Sequence, residues 1–215
     1  VFNESRFVLI DTQFLQTLDA KNICSGYAEM LKHGLISDEK TWNELITFPL
    51  MQPDLKKLQC MVAESVKVQE LLETSFSVKE AIVRKDPKEK GIRKALNLGH
   101  TFGHAFESWA LKRSPILHGY AVAFGLICEL YLSCFKVGFP TERMRQTVSF
   151  IRENYGYLPV TCNDYDELIA LMTHDKKNTN GIINFTLLGN IGDIRINQTA
   201  TDEEIKEALD FFREG

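Results

Sequence analysis

The chain has 215 residues, of which 44% are hydrophobic and 25% are charged, and its formal net charge is −4. This composition is typical of a globular protein with a substantial core. The acidic balance disfavours nucleic-acid binding, because phosphate backbones bind basic surfaces. A membrane span needs roughly 20 apolar residues. The longest mainly apolar segment, residues 121–135, is shorter than that and is broken by Glu129. We therefore expect neither a nucleic-acid nor a membrane partner.

The first residue and the cysteines bear on the origin and location of the chain. The chain begins with Val1 rather than Met, which predicts a piece of a longer protein. Its five cysteines are odd in number and form no CxxC pair. Reduced, mostly buried thiols fit this pattern better than disulfides or a cysteine-bound zinc, and they predict a cytoplasmic location.

Apolar spacing predicts the following elements in chain order. A short strand is expected over residues 6–12, and helices over 26–36 (with Ser25 as a possible N-cap), 41–48, 54–73 and 77–84. After the charged loop DPKEKG, helices are expected over 92–111, 118–135, 141–155, 164–173 and 202–214. Residues 182–197 alternate like one or two strands around a glycine turn. The prediction is a mainly α-helical fold with a few short strands, forming one domain over residues 1–215.

The helix predicted over residues 92–111 carries an unusual polar stripe. At about 100° per residue, Arg93, Asn97, His100 and His104 fall within a sector roughly 60° wide. A solvated face is usually made of Lys, Glu and Gln, whereas these four side chains bind anions, ligate metals and move protons. The alternative is that the histidines are hydrogen-bonded core residues. Gly99 and Gly103 each cost a helix about 1 kcal/mol relative to alanine, which predicts close packing of another element.

Three histidines are candidate metal ligands. His100 and His104 are four apart and could share one ion, but the residues between them lack the glutamate of an HExxH motif. His118 opens the next predicted helix and could fold back toward them. On spacing alone, His100 and His104 are equal candidates.

An oxygen ligand and an anion site are also predicted. Glu29 and Lys32 are three residues apart on one helix face with apolar neighbours, so Glu29 could complete the site; the alternative is a surface ion pair. His33 is predicted to be structural. The basic residues outside this helix that could bind a phosphate or carboxylate together with Arg93 are Lys79, Lys176 and Lys177, although loop lysines are usually solvated.

Four motifs carry a resemblance to a known family. The runs AEMLKHGLI, RKALNLGHTFGHAFE, LHGYAVAFG and DKKN occur in this order, and they resemble the C-terminal domain of the 3-dehydroquinate synthase family over essentially the whole chain. The resemblance implies that domain's helical fold. It also implies an N-terminal NAD-binding domain, which is absent from this chain.

The resemblance also implies residue roles. The implied metal ligands are Glu29, His100 and His118, with Zn²⁺ or Co²⁺ as the ion. The implied substrate-binding residues are Lys32, Lys79, Arg93, Asn97, His104 and either Lys176 or Lys177, with Lys176 favoured. Among these, Lys32, Arg93 and His104 are implied to be catalytic, with His104 relaying protons or organising the phosphate. Asp86 is implied to support the loop. The implied NAD contacts are Phe14, Leu15, Gln16 and Thr17.

The implied activity is a phosphate-eliminating carbon–oxygen lyase of the shikimate pathway, which leads to chorismate and the aromatic amino acids. NAD transiently oxidises a ring hydroxyl of 3-deoxy-D-arabino-heptulosonate 7-phosphate, phosphate leaves, the hydride returns, and an aldol closure gives 3-dehydroquinate. Alternatives are an inosose or valiolone synthase among the related sugar-phosphate cyclases, a metal-dependent alcohol dehydrogenase of the same superfold, and a non-catalytic metal-binding domain. The resemblance further implies a homodimer, and without its NAD domain the fragment is expected to be inactive.

Overall fold

A computed structural model describes residues 7–50, 65–173 and 182–215. The first helices are α1 (Ala20–Ser37), α2 (Glu39–Ile46) and α3 (Val66–Lys85). The central pair is α4 (His100–Leu111) and α5 (His118–Val137), followed by α6 (Thr141–Tyr155) and α7 (Tyr165–Thr173). Strands β1 (Asn184–Asn190) and β2 (Asp193–Thr199) precede α8 (Asp202–Glu214). The mainly helical prediction is confirmed.

Helix α5 lies at the centre of the fold because it is apolar on most sides. Its buried residues join those of α1, α4, α6, α8 and β1 in one hydrophobic cluster. By length and composition α5 could cross a membrane, but most of it is buried inside the protein, as in the core helix of a globular domain. The helix predicted over residues 118–135 is present, and Glu129 is buried within it because its carboxylate accepts hydrogen bonds from the backbone N–H groups of Gly99 and Thr101.

Glycines allow α4 and α5 to pack unusually closely. A Cβ on Gly103 would lie 3.1 Å from the Ala121 carbonyl oxygen, and one on Gly125 would overlap the Gly99 carbonyl oxygen. The close approach predicted from Gly99 and Gly103 is therefore present. This contact brings the first turn of α4 against the middle of α5.

The hairpin predicted near residue 190 is confirmed. Strands β1 and β2 are antiparallel, and Gly192 adopts a φ of 77° in the turn between them. The Thr101 hydroxyl donates to the Asn184 carbonyl (3.0 Å), and the Thr186 hydroxyl donates to the Lys94 carbonyl (2.8 Å). The hairpin thus braces the segment that leads into α4.

Two predictions near the N-terminus are wrong. Residues 7–11 form no strand, and Thr12–Thr17 form a 3₁₀ helix capped by the Asp11 carboxylate; Arg6 lies outside the described residues. Alternating apolar residues need a partner strand, and none of the described segments supplies one to residues 7–11. Ser25 is not an N-cap, since α1 begins at Ala20 and is capped by Asp19.

The helix boundaries also differ around the charged loop. The separate helices predicted over 54–73 and 77–84 are, from Val66 onward, the single helix α3, while residues 51–64 are not described. The helix predicted over 92–111 is wrong as one element. Residues Ile92–Asn97 form a 3₁₀ helix, and α4 begins only after Gly99, whose φ of 78° is left-handed. The angular stripe of four side chains therefore does not exist as a continuous helix face.

Candidate metal centre

Three side chains from three different helices converge on one point. Glu29 lies in the middle of α1, His100 is the first residue of α4, and His118 is the first residue of α5. Glu29 Oε1 is 3.5 Å from His100 Nε2 and 3.8 Å from His118 Nε2. Ligands about 2.1 Å from one tetrahedral ion are separated by roughly 3.4 Å. The spacing of these three atoms therefore fits a shared divalent ion.

The outer nitrogens of both histidines have partners. His100 Nδ1 lies 3.0 Å from the Leu98 carbonyl oxygen, and His118 Nδ1 lies 2.9 Å from Glu107 Oε2. Donation from Nδ1 to these oxygens leaves Nε2 unprotonated and facing Glu29, which is the usual arrangement of metal-binding histidines.

Glu29 carries the clearest sign of a metal site. Its Oε1 is buried and has no hydrogen-bond partner among the described residues, whereas Oε2 accepts from Lys32 Nζ at 2.6 Å. Burial by itself raises the pKa of Glu29, but the Lys32 ammonium outweighs it, so the pKa is lowered. Glu29 is thus held as a carboxylate with one oxygen directed at the two imidazoles. The donor set of one carboxylate and two imidazoles suits Zn²⁺ or Co²⁺.

His104 lies beside this group, one turn further along α4. Its ring centroid is 5.4 Å from that of His100 and 5.9 Å from that of His118, and one ring nitrogen from each of the three histidines lies within 4.8 Å of the other two. A three-histidine ligand set is therefore also compatible with these distances. We favour Glu29 over His104 for two reasons. Glu29 Oε1 is a buried atom without a hydrogen bond to any described residue, and it lies within 3.8 Å of the Nε2 atoms of His100 and His118.

The predicted anion-binding residues differ in their surroundings. Lys32 is 2% exposed and is bonded directly to Glu29. Lys79 is exposed on α3, and its charge acts on His33 of α1. Arg93 and Asn97 lie on the 3₁₀ helix before α4, where Arg93 Nη1 donates to the Pro87 carbonyl and Asn97 Nδ2 donates to Glu89.

Asp86 organises the loop that carries Arg93. Its carboxylate accepts from the backbone N–H groups of Lys90 (3.0 Å), Gly91 (2.6 Å) and Arg93 (3.2 Å). The bond from Gly91 is the main reason that the pKa of Asp86 is lowered. The DPKEKG loop is therefore an ordered turn around one carboxylate.

The predicted NAD contacts Phe14, Leu15, Gln16 and Thr17 occupy the 3₁₀ helix near the N-terminus. Phe14 is 74% exposed, while Leu15 packs against the core. Lys176 and Lys177 lie outside the described residues.

The family follows from the match to a known domain. A profile described as 3-dehydroquinate synthase C-terminal matches residues 26–178, which include Glu29 and all three histidines of the site. This chain belongs to that family. Similar relatives include the 3-dehydroquinate synthase of Parabacteroides distasonis, 55% identical over 96% of this chain. The 3-dehydroquinate synthase of Bacillus cereus is 35% identical over 99% of it. The chain spans 56% of the length of each of these relatives.

Solved structures show the same fold. The 2-epi-5-epi-valiolone synthase of Streptomyces hygroscopicus, solved with NAD⁺ and Zn²⁺ bound, superposes with a TM-score of 0.80 at 23% identity, covering 100% of this chain and 57% of its own. A 2-deoxy-scyllo-inosose synthase in complex with carbaglucose-6-phosphate, NAD⁺ and Co²⁺ superposes with a TM-score of 0.71 at 24% identity, covering 98% and 56%. The dehydroquinate synthase-like fold expected from the sequence is confirmed.

Three supporting residues were not singled out as site residues from the sequence. Glu107 bonds to His118 and orients its ring. The sequence could have indicated Glu107, because it lies three residues after His104 and seven after His100, on the same helix face. Ser25 accepts a hydrogen bond from the backbone N–H of Gly119 (3.0 Å), beside His118. Glu129 accepts from the backbone on either side of His100. The last two contacts join residues far apart in sequence, so no local pattern could indicate them.

His33 is buried one turn beyond Glu29 and makes the expected structural contact. Its Nδ1 lies 2.7 Å from the Ser75 hydroxyl, which ties α1 to α3. Burial, followed by the charge of Lys32, lowers the pKa of His33 to about 3. His33 is therefore neutral in the folded protein at neutral pH.

This depressed pKa predicts an acid-sensitive fold. The unfolded chain binds a proton at His33 below pH about 6.5, while the folded chain does so only near pH 3. Stability should therefore fall as pH drops through this window. Replacing His33 with Gln should make the slope shallower, by at most about 1.4 kcal/mol per pH unit. Urea unfolding at pH 7, 6, 5 and 4 measures it. Ser75→Ala keeps the imidazole and should keep the slope; equal slopes in wild type and His33→Gln would contradict the assignment.

Proposed function

We propose that this chain is the metal- and substrate-binding part of a 3-dehydroquinate synthase. The complete enzyme would convert 3-deoxy-D-arabino-heptulosonate 7-phosphate to 3-dehydroquinate and phosphate. The observation that carries the proposal is the convergence of the orphaned Glu29 Oε1 on the Nε2 atoms of His100 and His118. The 55% identity to a 3-dehydroquinate synthase supports this choice of reaction.

The ligands of the proposed ion are Glu29, His100 and His118. A divalent ion, Zn²⁺ or Co²⁺, would supply Lewis-acid stabilisation of negative charge on a substrate oxygen. Glu29 would bind through Oε1 alone, because Oε2 is engaged by Lys32. Glu107 would hold the His118 ring through its Nδ1 and so keep Nε2 directed at the ion.

The remaining polar residues are proposed to orient the substrate. Lys32 is buried beside Glu29, so its ammonium is placed to bind a substrate oxygen next to the ion. Lys79, Arg93, Asn97 and Lys176 are proposed to bind the carboxylate, hydroxyl and phosphate groups. Holding the substrate at several points in one orientation lowers the entropic part of the barrier.

His104 is proposed to move a proton rather than to bind the ion. It sits one turn past His100 and is only partly buried, so it can exchange protons with solvent. Phosphate elimination requires removal of a C–H proton, and an imidazole is the side chain best suited to such transfer at neutral pH.

The NAD site is proposed to be shared with sequence outside this chain. NAD would accept a hydride from the substrate and return it later. Within the chain, Phe14–Thr17 are proposed to touch it, and the exposed Phe14 ring supports this. Because the chain spans 56% of its relatives' length, we propose that the remainder supplies most of the NAD site and that this chain alone does not turn over. A cytoplasmic homodimer is the proposed assembly.

A related sugar-phosphate cyclase is the second candidate. The superposition on 2-epi-5-epi-valiolone synthase, with a TM-score of 0.80, favours it. That similarity is at 23% identity and supports only the fold. Arg93 and Asn97, the proposed partners of an acidic substrate, favour the first candidate.

The substrate can be tested in the full-length enzyme. Phosphate release should show a kcat/KM at least about 100-fold higher for 3-deoxy-D-arabino-heptulosonate 7-phosphate than for glucose 6-phosphate, which lacks a carboxylate. Lys32→Met, nearly isosteric but uncharged, should lower kcat/KM for the first substrate by about 100-fold or more, because it removes a buried cation beside the ion.

Lys67→Met is the matched control. Lys67 pairs with Glu44 on the surface at 2.8 Å, so this substitution removes the same charge from a surface ion pair that is not part of the proposed site. Its kcat/KM should stay within about twofold of wild type, in line with the small contribution of surface pairs. Preference for glucose 6-phosphate would support the second candidate. Equal losses of kcat/KM in Lys32→Met and Lys67→Met would contradict the proposal that Lys32 binds the substrate.

A further inference from the structure

The first turn of α4 lacks a cap of its own. Its N-cap position is Gly99, with a φ of 78°, which has no side chain to accept the free N–H groups that every helix N-terminus presents. A Cβ at Gly99 would lie 2.9 Å from the Leu126 side chain and 3.0 Å from the Val122 carbonyl oxygen. Close packing and backbone conformation thus exclude the residues that usually cap helices.

Glu129 of α5 takes over this role from another helix. Its side chain is completely buried, its Oε2 accepts from the Gly99 N–H at 2.6 Å, and its Oε1 accepts from the Thr101 N–H at 3.1 Å. The two hydrogen bonds hold the backbone in place immediately before and immediately after His100. A carboxylate is suited to this, because both of its oxygens accept and neither donates.

The orientation of the His100 ring depends on the same backbone. Its Nδ1 is bonded to the Leu98 carbonyl oxygen, one residue before Gly99. Moving the 98–101 backbone would therefore move both the Cα of His100 and the anchor of its ring. Even a small displacement of this backbone would matter, because metal–ligand distances vary by only about 0.2 Å around their optimum.

Helix α5 also carries the other imidazole. His118 is its first residue, and the adjacent Gly119 N–H is capped by the Ser25 hydroxyl of α1, one turn before Glu29. Glu129 therefore couples the His100 turn to the helix that bears His118, while Ser25 couples that helix to the one that bears Glu29.

We propose that Glu129 is a positioning residue of the metal centre. It fixes the distance between His100 and the other two ligands by capping α4 from α5, without touching the ion or the substrate. This inference rests on the proposed metal site. Glu129 should therefore affect metal binding as well as stability, whereas an ordinary buried carboxylate would affect stability alone.

The test is Co²⁺ binding by the full chain carrying Glu129→Gln. Glutamine has nearly the same shape, but it offers one acceptor and turns an NH₂ group toward the second backbone N–H. We expect the Kd for Co²⁺, measured by competition with a chromophoric chelator, to rise about 10- to 100-fold, as for loss of an outer-sphere partner. The visible absorption bands of the bound Co²⁺ should change, because they report the ligand geometry.

The matched control is Thr147→Val in α6. The Thr147 hydroxyl is fully buried and accepts from Trp42 Nε1 at 3.0 Å, so its loss also leaves a buried donor unpaired. This variant should lower the unfolding midpoint yet keep the wild-type Co²⁺ affinity and spectrum. Equal Co²⁺ affinities in the two variants would overturn the proposal. If His118→Ala also kept its Co²⁺, the metal site itself, rather than the role of Glu129, would be wrong.

A second measurement needs no substitution and decides the matter if Glu129→Gln does not fold. In the metal-free wild-type chain, the amides of Gly99 and Thr101 should exchange slowly with deuterium, because Glu129 binds them whether or not the ion is present. Exchange as fast as that of exposed amides would overturn the proposal.

Discussion

Replacing His118 with alanine is expected to abolish stoichiometric binding of the divalent ion. The substitution removes one of three converging donors and leaves Glu29 and His100 as a two-ligand site. The Kd should rise by more than the roughly 100-fold that loss of an outer-sphere partner causes. Metal analysis after dialysis, together with chelator competition, measures the change.

His104→Ala is the control that separates the two assignments of the histidine cluster. It removes an imidazole from the same small group, yet it should leave the metal content near that of wild type while catalysis in the full-length enzyme falls. Metal loss in His104→Ala, with retention in Glu29→Gln, would show that the ion is bound by three histidines instead. The two outcomes are distinguishable because each assignment requires a different residue as the third ligand.

Replacing Gly125 with alanine should destabilise the fold strongly, although it adds only one methyl group. The new Cβ would overlap the Gly99 carbonyl oxygen and lie 2.7 Å from the Gly103 backbone nitrogen. Both neighbours are backbone atoms of the α4 region, so no rotamer change relieves the clash and the two helices must separate. We expect the free energy of unfolding to fall by about 3 kcal/mol or more, as measured by urea denaturation.

Gly26→Ala provides the opposite result for the same chemical change. Gly26 lies inside α1, and a Cβ there meets nothing within 4 Å. Alanine should therefore stabilise the chain by about 0.5–1 kcal/mol, through the lower entropy of its unfolded state and its higher helix propensity. Wild-type stability in Gly125→Ala would mean that α4 and α5 are not in backbone contact.

Local sequence pattern was informative where an element depends on its own residues. The helices α6 and α8 and the hairpin around Gly192 have the predicted positions. Each of them has either a regular apolar period or a turn residue that marks its end. The strand predicted over residues 6–12 failed because a strand needs a partner, and apolar alternation alone does not show whether one is available.

The polar stripe illustrates how a periodic pattern can group residues that do not share one helix. The 100° rule grouped Arg93, Asn97, His100 and His104 as though one helix carried them, but the chain passes from a 3₁₀ helix through a left-handed glycine at Gly99. Periodicity cannot report a conformation that only one residue adopts. Nor could it choose between His100 and His104 as ligands, since both lie on α4.

By itself, the sequence determined which side chains are available, the helical class of the fold, and the family to which the motifs belong. The tertiary structure alone decided which donors meet. Glu29 lies 71 residues before His100, and their approach to 3.5 Å requires α1, α4 and α5 to pack together. That packing depends on glycines that admit backbone contact and on the Glu129 and Ser25 caps between helices. These interactions join positions distant in sequence, so they form only when the whole fold is assembled. Local periodicity in the sequence therefore cannot reveal them.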